Sequence, residues 1–107
     1  MKRFWTVPLL GFLLSTVGFQ ASGAEGGPIK IGTVFAVTGP ASNLGAPEEK
    51  TARQLVDKLN AQGGINGRKI QLVTKDTAGD PAKCVSFTRQ LIDEDQVAAI
   101  IGPSTSG

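Results

Sequence analysis

The 107-residue sequence contains no histidine and a single cysteine, Cys84. Without histidine, no Ser-His or Cys-His nucleophile system can be assembled. One cysteine cannot close an intrachain disulfide, and alone it cannot build a zinc site. Cys84 is expected to pack on a helix face as a small hydrophobe. A G-x-G-x-x-G loop is also missing, since Gly39 and Gly45 stand too far apart, and no Walker A sequence occurs. Asp76 sits where dinucleotide folds place a ribose-binding acid, but without the glycine loop that signal is weak. No catalytic residue, metal ligand or cofactor is expected.

A long uninterrupted apolar run is absent too. Residues 4–19 are mostly apolar but are broken by Pro8, Gly11, Ser15, Thr16 and Gly18, short of the roughly 20 residues a membrane span requires. Lys2 and Arg3 precede this run, and Ser22 and Ala24 offer small residues at the −3 and −1 positions of a cleavage site. Residues 1–24 are therefore expected to be a secretory signal peptide cleaved after Ala24. No cysteine lies near that site for lipid attachment, so a soluble, exported, periplasmic protein is expected. The 11 basic and 9 acidic residues become nine of each once Lys2 and Arg3 are removed. A neutral mature chain gives no electrostatic reason to expect nucleic acid or an anionic membrane as partner.

What is present is an alternation of short apolar runs and helical patterns. Residues 29–37 read as a strand covered on both faces, broken by Thr38, Gly39 and Pro40. A helix is expected to open at Pro47, with Glu48 and Glu49 at its positive end. Ala52, Leu55, Val56 and Leu59 form its apolar stripe, and Gly63 and Gly64 stop it. Asn66 and Gly67 mark a turn, and residues 69–75 a second strand. Asp80 is expected to cap a helix whose first residue is Pro81, with Val85, Thr88, Leu91 and Ile92 inside and Cys84 alongside. Asp93, Glu94 and Asp95 read as a surface cluster, and residues 97–101 as a third strand. The fold class is α/β, a β-α-β-α-β order with right-handed crossovers and a parallel sheet. A mature part of this size buries only a little over 60% of its unfolded surface, and three parallel strands leave an apolar edge uncovered. Residues 25–107 are thus expected to be an incomplete part of a larger domain.

Two loops follow strand carboxyl ends, where open α/β sheets bind ligands. One runs from Thr38 to Gly45; the other holds Ser104, Thr105 and Ser106 between Gly102 and Gly107. Hydroxyls and backbone N–H groups can both donate to an anion, and a helix opening after Gly107 would add its positive end. Hydroxyls at a strand end also cap following helices; for Ser104 both roles stay open. Leu44 is equally open between a ligand contact and a core or interface position.

Five segments in order carry a family resemblance: IKIGTV at 29–34, TGPA at 38–41, AQGGINGRKI at 61–70, DTAGDP at 76–81 and IIGPSTSG at 100–107. With them the chain resembles the leucine/isoleucine/valine-binding protein family, the periplasmic solute-binding components of branched-chain amino-acid-type ABC transporters. The resemblance implies the start of the first lobe of a type I periplasmic binding protein fold, whose two lobes close over a small ligand. It implies ligand contacts from Ser104, Thr105 and Ser106, with Ser106 on the ligand carboxylate. The position of Leu44 often touches ligand in the family, and branched-chain binders carry Trp there, so the solute's identity stays open. The disulfide some members form between the loops at Gly79 and Thr105 is absent. The implied function is capture of a small amino acid, carboxylate or amide and its delivery to a permease in the inner membrane. A ligand-sensing receptor domain of the same fold and a non-functional truncated product are the alternatives.

Overall fold

The computed structural model describes residues 26–106; the expected signal peptide at 1–24 lies outside the described residues. The chain runs β1 (Ile29–Phe35), α1 (Ser42–Ala61), β2 (Ile70–Asp76), α2 (Pro81–Asp93) and β3 (Ala99–Ile101). The expected order and parallel pairing are both present. β1 is central, in the order β2-β1-β3. Ile29 to Phe35 pairs in register with Ile70 to Asp76 on one side, and Ile31 to Thr33 pairs with Ala99 to Ile101 on the other. The centre is therefore buried. Thr33, Val34, Phe35 and Ala36 are closed off from solvent, with Ile70, Thr77 and Leu91.

The chain crosses from β1 to one neighbour and then back past β1 to the other. Two crossovers of one hand, made in opposite directions, place their helices on opposite faces. Phe35 accordingly faces Pro47, Ala52 and Leu55 of α1. Gly32 faces α2, where an added Cβ would come within 2.8 Å of the Leu91 side chain.

Several boundaries differ from the sequence reading. β1 ends at Phe35 and not at Val37, because the next three N–H groups leave the ladder for side chains: Ala36 N–H donates to Ser104 Oγ, and those of Val37 and Thr38 to Asp76 Oδ1. β3 begins at Ala99 and not at residue 97, since Val97 N–H donates to the Leu91 carbonyl at the end of α2. α1 opens at Ser42, five residues before Pro47. Pro47 therefore lies in the second turn, where its missing N–H leaves the Asn43 carbonyl without its helical donor. Glu48 and Glu49 are likewise beyond the first turn, outside the strongest reach of the helix dipole.

Local chemistry accounts for the remaining ends. Asp80 caps α2 as expected, with Oδ1 accepting from Ala82 N–H at 2.8 Å and Lys83 N–H at 3.2 Å, and Pro81 is the first helical residue. Asn66 and Gly67 both adopt positive φ, 51° and 76°, and the turn closes through paired bonds between Ile65 and Arg68. Asn60, at the end of α1, exchanges two hydrogen bonds with the backbone of Ile70 at 2.8 and 2.7 Å, which ties the helix end to the start of β2.

The helix faces need correction. Leu91 is fully buried, but Val85 and Ile92 are each 56% exposed. A narrow sheet touches one line of α2, and Cys84, Thr88 and Leu91 occupy it at helical spacing; Val85 and Ile92 fall one step round the helix. Cys84 is half-buried, in keeping with a packing role. On α1, Ala52 and Val56 are half-buried while Leu55 is 56% exposed. The acidic cluster is not wholly solvated either, since the Asp95 carboxylate lies 3.4 Å from Lys75 Nζ.

Candidate functional site

The carboxyl ends of the strands carry the segments 36–41, 77–80 and 102–106. Their contacts form one connected set. Asp76, the last residue of β2, occupies its centre. Its Oδ1 accepts from Val37 N–H at 3.0 Å, Thr38 N–H at 3.2 Å and Ala78 N–H at 2.9 Å, and its Oδ2 accepts from the Thr38 hydroxyl at 2.7 Å. The bond to Ala78 is an Asx turn, in which an aspartate binds its own backbone two residues on. These four donors stabilise the charged form. The Thr38 hydroxyl is the largest influence, and the Ala78, Thr38 and Val37 N–H groups act in the same sense. Partial burial opposes them, and the net result holds the carboxyl below the usual aspartate range. Asp76 is thus engaged by two loops of its own fold.

The loops also touch directly. Gly39 has φ of 83°, and a Cβ there would lie 2.5 Å from the Ala78 carbonyl oxygen, so only glycine fits. Gly45, in the first turn of α1, rests on the end of β1: a Cβ would lie 2.2 Å from the Ala36 carbonyl oxygen. The start of α1 is held by this contact, for its N-cap residue Ala41 makes no side-chain cap.

The third loop joins through Ser104. Its Oγ accepts from Ala36 N–H at 3.1 Å and donates to Glu48 Oε2 on α1. The Ser104 proton is thus used inside the protein, leaving one lone pair. Thr105 is half-buried and Ser106 exposed; among the described residues neither hydroxyl has a hydrogen-bond partner. Leu44 is in the first turn of α1 and not in a loop, and it is 47% exposed. It stands one turn before Glu48 on the same helix face. The structure therefore brings Leu44, Ser104, Thr105 and Ser106 to the same end of the sheet. Next to them is an open, mostly apolar concavity of about 670 Å³, lined by Phe35, Pro47, Leu55, Ile101 and Pro103 with Glu48 among them.

Sequence reading had singled out neither Glu48 as a partner of Ser104 nor Asp76 as a tie between loops. For Asp76 a signal existed: an aspartate at a strand end followed by Thr, Ala and Gly is Asx-turn chemistry. For Glu48 there was none, because its partner lies 56 residues away. Among the described residues no group of three or more Cys, Asp or Glu side chains is placed to hold a metal ion.

Comparison with known proteins gives a consistent result. The Leu/Ile/Val-binding protein of Escherichia coli K12 is 38% identical over 74 residues, which are 69% of this chain and 20% of that protein. The Leu/Ile/Val-binding protein homolog 3 of Brucella melitensis is 35% identical over 99 residues, 89% of this chain and 27% of that protein. Among solved structures, the branched-chain amino acid transporter substrate-binding protein LivJ of Streptococcus pneumoniae, in complex with isoleucine, matches with a TM-score of 0.70. It is 39% identical, and the match covers 71% of this chain and 22% of that one. A fatty acid ABC transporter substrate-binding protein from Thermomonospora curvata matches with a TM-score of 0.65 at 32% identity, over 73% of this chain and 20% of that one. The chain thus spans about a fifth to a quarter of the length of these relatives. The parallel β-α-β-α-β sheet matches a type I lobe, as expected. The family profile described as periplasmic binding protein matches residues 28–107, and the chain belongs to that family of binding proteins.

Proposed function

We propose that this chain forms one wall of the solute site in an ABC transporter substrate-binding protein, and that the solute is a small amino acid or a related carboxylate or amide. In this reading residues 1–24 are a cleaved leader, residues 25–107 are the N-terminal part of the first lobe, and the permease in the inner membrane is the partner. The observation that carries the reading is the pair of hydroxyls, Thr105 and Ser106, that have no hydrogen-bond partner among the described residues, on a loop anchored through Ser104. The anchor leaves the proton of Ser104 unavailable, so the carboxylate contact falls to Ser106 and Thr105 and to the backbone N–H groups beside them. Ser104 contributes its remaining lone pair and the position of the loop. Leu44 supplies apolar surface at the rim. A few hydroxyls beside apolar lining are the usual composition of a small-molecule site.

A carboxylate is common to the isoleucine and fatty acid named for two of the structural relatives. Calorimetric titration of the full-length exported protein with leucine, isoleucine, valine, glutamine, octanoate and acetamide distinguishes these classes. Binding of at least one carboxylate is expected. Ser106→Ala should weaken it by about 1–3 kcal/mol, the cost of removing a hydrogen bond to a charged group. No binding across the panel refutes the reading, and unchanged affinity in Ser106→Ala removes Ser106 from the site.

A further inference from the structure

We infer that Asp76 is a positioning residue whose carboxylate locks the loop after β1 to the end of β2 and so presets the conformation in which the ligand-facing loops meet a solute. The role assigned to the loops rests on the proposed function; the lock itself does not.

Three consecutive N–H groups leave β1 without a strand partner, those of Ala36, Val37 and Thr38. Asp76 takes the second and third, and Ser104 takes the first. The same Asp76 carboxylate takes Ala78 N–H from its own loop and the Thr38 hydroxyl. One side chain therefore holds four donors from two loops that are 39 and two residues away in sequence. Gly39 and Ala78 press together beside it, with Ala78 held at φ of 51°. Bonds to an ionised acceptor are stronger than neutral ones. A loop ordered before its ligand arrives avoids an ordering cost at binding. An acid that served only to end β2 would need the Asx-turn bond and none of the other three.

The test uses hydrogen exchange and calorimetry on the full-length exported protein, with leucine as the probe. Asp76→Ala should speed amide exchange at Val37, Thr38 and Ala78 at least tenfold while Gly32 to Phe35 keep their rates. Asp76→Asn keeps an acceptor oxygen and can donate to the Thr38 hydroxyl, and should restore most of the protection. Leucine affinity of the folded Asp76→Ala protein should fall at least tenfold. Unchanged exchange at these amides overturns the lock. Faster exchange with unchanged leucine affinity overturns its role in binding. If the unaltered protein gives no heat with leucine, the panel member that it does bind replaces leucine as the probe; if it binds none, the solute reading fails, and exchange alone decides the lock. Should Asp76→Ala fail to fold, Thr38→Val removes only the Oδ2 bond; it should speed exchange at Thr38 and Ala78 about threefold, and rates equal to the unaltered protein overturn the inference.

Discussion

Replacing Gly45 by alanine sets two physical effects of opposite sign against each other. Gly45 is in the first turn of a 20-residue helix, and by helix propensity alone alanine should stabilise it by about 1 kcal/mol. Its position argues the other way. The new Cβ would lie 2.2 Å from the Ala36 carbonyl oxygen, 2.3 Å from the carbonyl carbon and 2.6 Å from the nitrogen. All three atoms are main chain, at the end of the central strand, and cannot rotate aside as a side-chain tip would. Relief requires the first turn of α1 and the end of β1 to separate by about 1 Å, in an interior packed as tightly as an organic crystal. Overpacking of this kind costs about 1–3 kcal/mol, and the main-chain contact places it toward the upper end. The expected net result is a destabilisation of about 1–2 kcal/mol. Because Ala36 N–H carries the bond to Ser104, the same displacement should loosen the third loop. Urea unfolding of Gly45→Ala should show a lower midpoint at unchanged slope, and hydrogen exchange should rise at Ala36. A midpoint equal to or above that of the unaltered protein would mean that propensity wins and that α1 does not rest on β1 as described.

Two further outcomes follow from the cap and from the charge of Asp76. Asp80→Ala removes the acceptor of two N–H groups at the start of α2 and should cost about 1 kcal/mol; urea unfolding checks this, and Asp80→Asn should recover most of it. Asp76 has a lowered folded-state pKa, so its stabilisation is fully present above the ordinary aspartate value of about 3.9. It is lost as pH falls from there through the lowered folded value. Acid unfolding followed by circular dichroism should therefore weaken the unaltered protein more steeply below about pH 4 than Asp76→Asn, and parallel curves would show that the carboxylate gains nothing from its four donors.

How much was legible follows the range of the interaction. The cap of α2 was readable because aspartate, proline and the N–H groups they serve are neighbours in sequence. The turn at Asn66 and Gly67 was readable because both residues tolerate positive φ. The start of α1 was not, because nothing local caps it; contact with Ala36 holds it, and Pro47 was the strongest local signal in its place. The inner stripe of α2 was misjudged at Val85 and Ile92 because periodicity marks an apolar arc and not its centre, and the width of the sheet decides which line of the arc is covered. The segments at 38–45 and 102–107 were identified as loops at strand carboxyl ends; the structure places 38–41 and 102–106 at that end of the sheet and folds 42–45 into the first turn of α1.

By itself the sequence determined the order of strands and helices and their parallel arrangement, since each follows from residue type and short-range spacing. Only the tertiary structure decided which donors remain for a solute. Ser104, Thr105 and Ser106 look alike as hydroxyls in a row. Folding uses the proton of Ser104 on a glutamate 56 residues earlier, and leaves those of Thr105 and Ser106 without a partner among the described residues. It likewise turned Asp76 from a lone acid after a strand into the acceptor that binds two loops, because hydrogen bonding depends on proximity in space, which residue spacing along the chain does not encode.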